Sequence, residues 1–131
     1  MGDAIRDRLT SLRNGLLKLH KTLLDSERAV YERDVARITS TGQYLQLVLN
    51  DPWFAWLHEL SKFIVLVDET LDFDDPPTTA DADRLIAQAR DLVTPSENGA
   101  PFGRSYFEAM QRDPAVVLAH RDMMRVFGSL S

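Results

Sequence analysis

The side chains whose types and placement could do chemistry are three histidines and a few carboxylates. His20 lies in an apolar stripe of the first helical stretch, and His120 lies among Val116, Val117, Met124 and Phe127. His58 stands one helical turn after Phe54 and one before Ser61. If the first and third helical stretches pair antiparallel about a turn near residues 38–42, residue numbers at one level sum to roughly 80, given an equal rise per residue. That register puts His20 beside His58 and Leu60, Glu27 near Trp53, and Asp68 near Leu12 and Arg13. A metal site in the bundle core would then draw nitrogen from His20, His58 and His120 and oxygen from Glu27 or Asp68.

The spacing gives that site little support. Bundle metal sites usually carry ligands three or four residues apart, so that two side chains of one helix converge. His20 and Glu27 are two turns apart, roughly 10 Å along the axis, and no His-x-x-x-His, His-Glu-x-x-His or Glu-x-x-His occurs. The plainer expectation is a histidine at the rim of an apolar face, bonded to protein on one side and water on the other. No cofactor is predicted.

Nucleophilic catalysis and nucleotide binding fare no better. His58, Ser61 and Asp68 share a stripe, but they are strung along about 15 Å of helix, beyond the hydrogen-bond reach a triad needs. The chain has no Gly-x-Ser-x-Gly elbow and no glycine-rich phosphate loop.

The acidic stretch Asp68-Glu69-Thr70-Leu71-Asp72-Phe73-Asp74-Asp75 ends a helix with carboxylates, against the macrodipole. A calcium loop is excluded because Pro76 and Pro77 stand where the turn glycine and later ligands belong. The stretch could pair with Arg13, Arg84 or a partner's arginines, and the plainer expectation is a solvated acidic loop; Asp68, following Val67 on a largely buried helix, is the exception and calls for a partner. Trp53 and Trp56 could serve as core or as interface anchors. Asp72, Asp74 and Asp75 are the charged candidates for the same interface.

The elements that must position these groups all read as helices. Ile5, Leu9, Leu12, Leu16, Leu19, Leu23, Ser26 and Val30 alternate at four and three, which predicts one long helix over 3–37. Leu17, His20, Leu24, Glu27 and Tyr31 run beside them. Lys21 with Asp25 and Arg28 with Glu32 are spaced to pair on the outer face, and Gly15 is a mild local cost. Thr39 to Gly42 make a turn and Gln43 to Asn50 a short second helix. Asp51-Pro52 then restarts the chain, with Asp51 as cap and Pro52 in the first turn. Trp53, Leu57, Leu60, Ile64, Val67 and Leu71 continue the rhythm in a helix expected to be buried on most sides. After Phe73 to Thr79, Thr78 or Thr79 caps a helix running to about Val93. Another spans Phe102 to Gln111, and Asp113-Pro114 starts the last, to about Phe127.

The predicted fold is therefore all-α, one domain over 1–131, an up-and-down bundle of about four to six helices with proline-broken arms. A coiled-coil dimer through the first helix ranks second, because its seam weakens at Ser26 and Arg33.

Composition fits this picture. Of the 131 residues 44% are apolar and 27% charged, and there is no cysteine for a disulfide, zinc knuckle or thiol nucleophile. Residues 1–50 carry eight Lys/Arg against six Asp/Glu, residues 51–100 three against eleven, and residues 101–131 four against three. A basic first element facing an acidic middle predicts charge pairing inside the molecule. It offers no outward basic stripe for nucleic acid. Twelve of the fifteen basic residues are arginine, a bias that a GC-rich genome would produce. The first residues lack the apolar core of a secretory signal and no apolar run spans a membrane, so the expected location is cytoplasmic.

Leu16-Leu17-Lys18-Leu19-His20-Lys21 through Asp25-Ser26-Glu27-Arg28, the segment Leu47 to Glu69 around Asp51-Pro52-Trp53-Phe54-Ala55-Trp56-Leu57, and Val116-Val117-Leu118-Ala119-His120 resemble an uncharacterised family of short bacterial proteins. The resemblance implies a bacterial, helical, cytoplasmic protein and assigns no activity. The expected function is a non-enzymatic interaction or structural domain that forms a homodimer or binds a protein partner. The alternative is a bundle that binds a metal or small ligand through its histidines and carboxylates.

Overall fold

The 4-3 stripe does form one continuous helix, and it organises the rest. In a computed structural model that describes residues 2–130, with side chains from residue 4 onward, α1 spans Gly2–Asp34. Leu9, Leu12, Leu16, Leu19 and Leu23 are all but completely buried along it. They are covered within the same chain, chiefly by α6 (Pro114–Leu130) and α3 (His58–Asp72), so the seam is not open for a coiled-coil partner. The helix α4 (Thr79–Leu92) touches α1, α3 and α6 and closes the bundle. Two short helices complete it, α2 (Thr41–Asn50) and α5 (Pro101–Arg112), with a 3-10 helix at Pro52–Leu57. Among the described residues there is no strand, and the fold is an all-α bundle of six helices. Among the described residues no helix is long and apolar enough to cross a membrane.

Chain breaks fall where polar side chains take over backbone bonds. The first helix stops at Asp34, three residues short of its expected end. Glu32 accepts from the Ile38 N–H and Gln43 from the Thr39 N–H, which turns the chain early. Ser40 then caps α2, accepting from the Gln43 N–H. Both Asp-Pro junctions use one device: Asp51 accepts from the Trp53 N–H and Asp113 from the Ala115 N–H, each at 2.8–2.9 Å. Thr78 and Asp81 form a reciprocal capping box on α4.

Antiparallel pairing of α1 with α3 follows the expected register closely. Arg13 meets Asp68 at 3.2 Å and His20 meets Ser61 at 2.7 Å, so both pairs sum to 81. Arginines from α1 also reach the ends of other helices. Arg6 donates to the Leu71 carbonyl in the last turn of α3 at 2.7 Å, and Arg8 donates to Asp83 of α4 and to the Leu130 carbonyl of α6. A cation at the C-terminus of α3 offsets the carboxylates that oppose its dipole there. The arginine bias thus has a structural use, because a guanidinium forks to two acceptors on different helices.

Two further expectations are corrected. The helix α3 is not buried on most sides: Leu60, Ile64, Val67 and Leu71 face the core, while Val65 and Leu66 are exposed. Gly15 is more than a propensity cost, since a Cβ there would lie 3.0 Å from the Met123 sulfur and 3.3 Å from Val126 Cγ2. It lets α1 and α6 approach closely. Gly15→Leu is therefore expected to lower stability by about 1–3 kcal/mol through overpacking. In Gly15→Ala, the helix-propensity gain of about 1 kcal/mol should offset the milder crowding. Urea unfolding midpoints of the two variants check this.

Candidate functional site

Each of the five candidate metal ligands finds its own partner. His58 Nε2 donates to the Val48 carbonyl at 2.7 Å. That carbonyl, in the last turn of α2, would ordinarily accept from the N–H four residues on, but residue 52 is proline and has none. His58 supplies the missing donor. Asp68 is taken by Arg13. Glu27 does not turn towards Trp53. It receives Arg112 from the last turn of α5 at 3.0 Å, and the same guanidinium donates to Ser26 at 3.2 Å. The chain thus fills the two polar notches of the α1 stripe with one arginine, a pairing across 85 residues that no local spacing announces.

His20 and Ser61 come together where the catalytic reading had paired Ser61 with His58. The Ser61 hydroxyl lies 2.7 Å from His20 Nε2 and 3.3 Å from the Leu57 carbonyl. Burial, and after it the neighbouring His58, holds the His20 pKa below the ordinary imidazole value. Among the described residues, no hydrogen bond joins a carboxylate to His20, and no group of three His, Asp or Glu side chains is placed to hold a metal ion. Neither His20 nor Ser61 lines either of the clefts described next.

His120 is built differently. Tyr106, completely buried on α5, places its hydroxyl 2.7 Å from His120 Nδ1, and the two rings meet edge-on at 5.4 Å. Burial raises the phenol pKa far above its ordinary value and lowers that of the imidazole. Leaving a buried phenol proton unbonded would be costly, so Tyr106 donates to Nδ1 and the proton of neutral His120 sits on Nε2. The ring lines a cleft of about 410 Å³ between α4 and α6, with Arg90, Val93, Thr94, Pro95, Met124 and Phe127. A larger groove of about 650 Å³ runs along α1 and α6, but its polar lining is of ordinary surface type, including Lys18, Asp122 and a Lys21 already paired with Asp25.

The expected interface residues divide. Trp53 and Trp56 are half-buried, Trp53 edge-on to Tyr31 at 5.7 Å and Trp56 against Phe102 at 5.2 Å. They serve the core and present only part of their rings. Asp72, Asp74 and Asp75 are exposed, with Phe73 exposed among them.

A different element presents the most distinctive surface. The helix α2, Thr-Gly-Gln-Tyr-Leu-Gln-Leu-Val-Leu-Asn, contains no charged residue and no fully buried one. Tyr44, Leu47 and Val48 lean on the core, with the Arg28 guanidinium 4.5 Å from the Tyr44 ring centre. Leu45 and Leu49, one turn apart, are 55% and 63% exposed. The sequence reading gave Gln43 to Asn50 as a short second helix and assigned it no role. The missing charge was the signal that could have found it.

Comparison with family models, with curated proteins and with solved structures found no match to this chain.

Two predictions follow from the buried polar groups. Arg112→Ala strands Glu27, whose side chain is 8% exposed, and should cost about 2–4 kcal/mol, somewhat less than a fully buried pair because Arg112 itself is 30% exposed. Replacing both by leucine should recover most of that loss, as measured by urea unfolding of the single and double variants. The second concerns pH. Because His20 and His120 are held below the ordinary imidazole pKa, the unfolded chain binds more protons, and stability should fall as pH drops below about 6.5. Unfolding midpoints at pH 7.5 and 5.5 should differ less in a His20→Asn, His120→Asn variant than in the native chain.

Proposed function

We propose that this protein is a non-enzymatic helical interaction module that associates with a second copy of itself through α2. The observation that carries the reading is a charge-free surface helix with two leucines more than half exposed, in a chain that is 27% charged. Interface cores are depleted of charge, while ordinary surface helices are not. A two-fold interface sets a patch against its own copy, so any charge near the axis meets its like. Gln43, Gln46 and Asn50 avoid that because their amides are neutral; the Gln43 oxygen accepts from Thr39 and Asn50 donates to Gln46 within one copy, which leaves amide N–H groups to donate across the axis.

The rest of the surface favours this choice of contact. At a net charge of −5 two copies repel at long range, and the acidic stretch would set Asp72, Asp74 and Asp75 against their own copies. The neutral helix is where approach costs least. Ten residues make a helix roughly 15 Å long, so the buried area belongs with small, reversible interfaces.

Sedimentation velocity over a dilution series from micromolar to near-millimolar protein tests this. The native chain should shift from monomer to dimer, and Leu45→Glu with Leu49→Glu should weaken association at least tenfold with helical content unchanged. A native chain that stays monomeric throughout, or a double variant that associates like it, would overturn the proposal.

A further inference from the structure

The chain contains the dipeptide Asn-Gly twice, at Asn14-Gly15 and Asn98-Gly99, and a third asparagine at Asn50. An asparagine before glycine is prone to one covalent reaction, because glycine has no side chain to shield its backbone nitrogen and lets the chain reach the geometry of ring closure. The glycine nitrogen, having given its proton to water or hydroxide, attacks the asparagine Cγ. The N–Cγ bond forms and the Cγ–Nδ2 bond breaks, releasing ammonia and leaving a five-membered succinimide. One water then opens the ring at either carbonyl, giving aspartate or isoaspartate. In sequence the two dipeptides are equivalent; in the fold they are not.

Asn14 is exposed, but it stands in the interior of α1, where the helix pattern commits the Gly15 N–H to the carbonyl four residues back. Closing the ring would take that proton and move the Asn14 ψ away from its helical value, in the turn against which Met123 and Val126 pack. Asn50 is held as well. The Asp51 N–H donates to the Leu47 carbonyl at 2.9 Å, and Asn50 Nδ2 donates to Gln46 at 2.9 Å.

Asn98 has none of these restraints. The loop after α4 is tied where the Ser96 N–H donates to the Gly103 carbonyl at 3.0 Å, and residues 97–100 are exposed. Among the described residues, no hydrogen bond engages the Gly99 N–H or the Asn98 side chain. Packing also favours glycine at that position, since a Cβ at residue 99 would collide with the Ser96 hydroxyl and lie 2.8 Å from Ser96 Cβ.

We propose that Asn98 is a site of spontaneous covalent modification in the folded protein, converting through a succinimide with Gly99 to aspartate and isoaspartate, while α1 protects Asn14 in the same dipeptide. The change adds one negative charge to a chain of net charge −5, two residues before the Ala100 cap of α5. That helix has no acidic residue in its first turn and no side-chain cap, so its dipole favours the new carboxylate. The site is separate from the α2 surface, and either could exist without the other.

All three asparagines can be followed in one sample. The native chain is incubated at neutral pH and physiological temperature, then digested with trypsin in ¹⁸O-water so that conversion during handling is marked. Mass spectrometry with fragmentation that separates aspartate from isoaspartate then maps the products. Asn98 should convert at least tenfold faster than Asn14 and Asn50, with both products present. In guanidinium chloride, where α1 is open, Asn14 should react at a rate comparable to Asn98. No conversion at Asn98, a folded-state ratio below tenfold, or an Asn14 that stays inert in denaturant would overturn the proposal.

Discussion

Everything in this molecule depends on the burial of one helical face along α1. Leu9, Leu12, Leu16, Leu19 and Leu23 sit in a continuous stripe with essentially no access to solvent. At about 1.5–3 kcal/mol for each fully buried leucine, this stripe is a large contribution to the stability of the bundle. A stripe of leucines alone would tolerate sliding, because any apolar partner satisfies it. Polar contacts at fixed levels remove that freedom: Arg6 on the Leu71 carbonyl, Arg13 on Asp68, His20 on Ser61 and Arg112 on Ser26 and Glu27. Each is modest in energy, and most are partly exposed. Their combined effect is on register, since a one-turn slip would break all of them together.

Proline and histidine shape what the bundle leaves outside. Pro52 ends α2 by removing a donor, and His58 replaces that donor from the next element, so α2 is joined to the 3-10 helix and α3 at a fixed bend. The bend turns Tyr44, Leu47 and Val48 inward and leaves Leu45 and Leu49 outward. With no fully buried residue, and attached by three half-buried ones, the His58 bond, the Arg28 contact and the Tyr44–Phe54 ring contact, α2 is expected to open more readily than α1 or α3. The same local chemistry thus creates the exposed apolar surface and leaves the element that carries it without a fully buried residue.

Much of the fold was legible in the sequence because periodicity and capping are local. The long first helix, the two Asp-Pro starts, the Thr78 cap and the Arg13–Asp68 pairing all follow from spacing of a few residues plus one hairpin register. The end of α1 was not, because Glu32 and Gln43 draw the turn together with side-chain bonds that compete against a still-helical pattern. Nor was the Arg112–Glu27 pair or the Tyr106–His120 bond, each of which needs the three-dimensional path of α5. Gly15 read as a defect, since only the approach of Met123 gives it a purpose. The three histidines drew attention for metal chemistry that the geometry divides among a serine, a carbonyl and a phenol. The neutral composition of α2 was in plain view, but charge was tallied by long segments and a ten-residue gap disappeared in the sum.

The central claim is that a bundle locked around α1 leaves α2 as a loosely held surface that a second copy covers. Amide hydrogen exchange at two protein concentrations, one well below and one near millimolar, tests it directly. The account predicts that α2 amides exchange much faster than those of α1 in dilute protein and slow markedly at high concentration, while the α1 amides stay unchanged. Protection of α2 that equals α1 at both concentrations, or that does not respond to concentration, would contradict it.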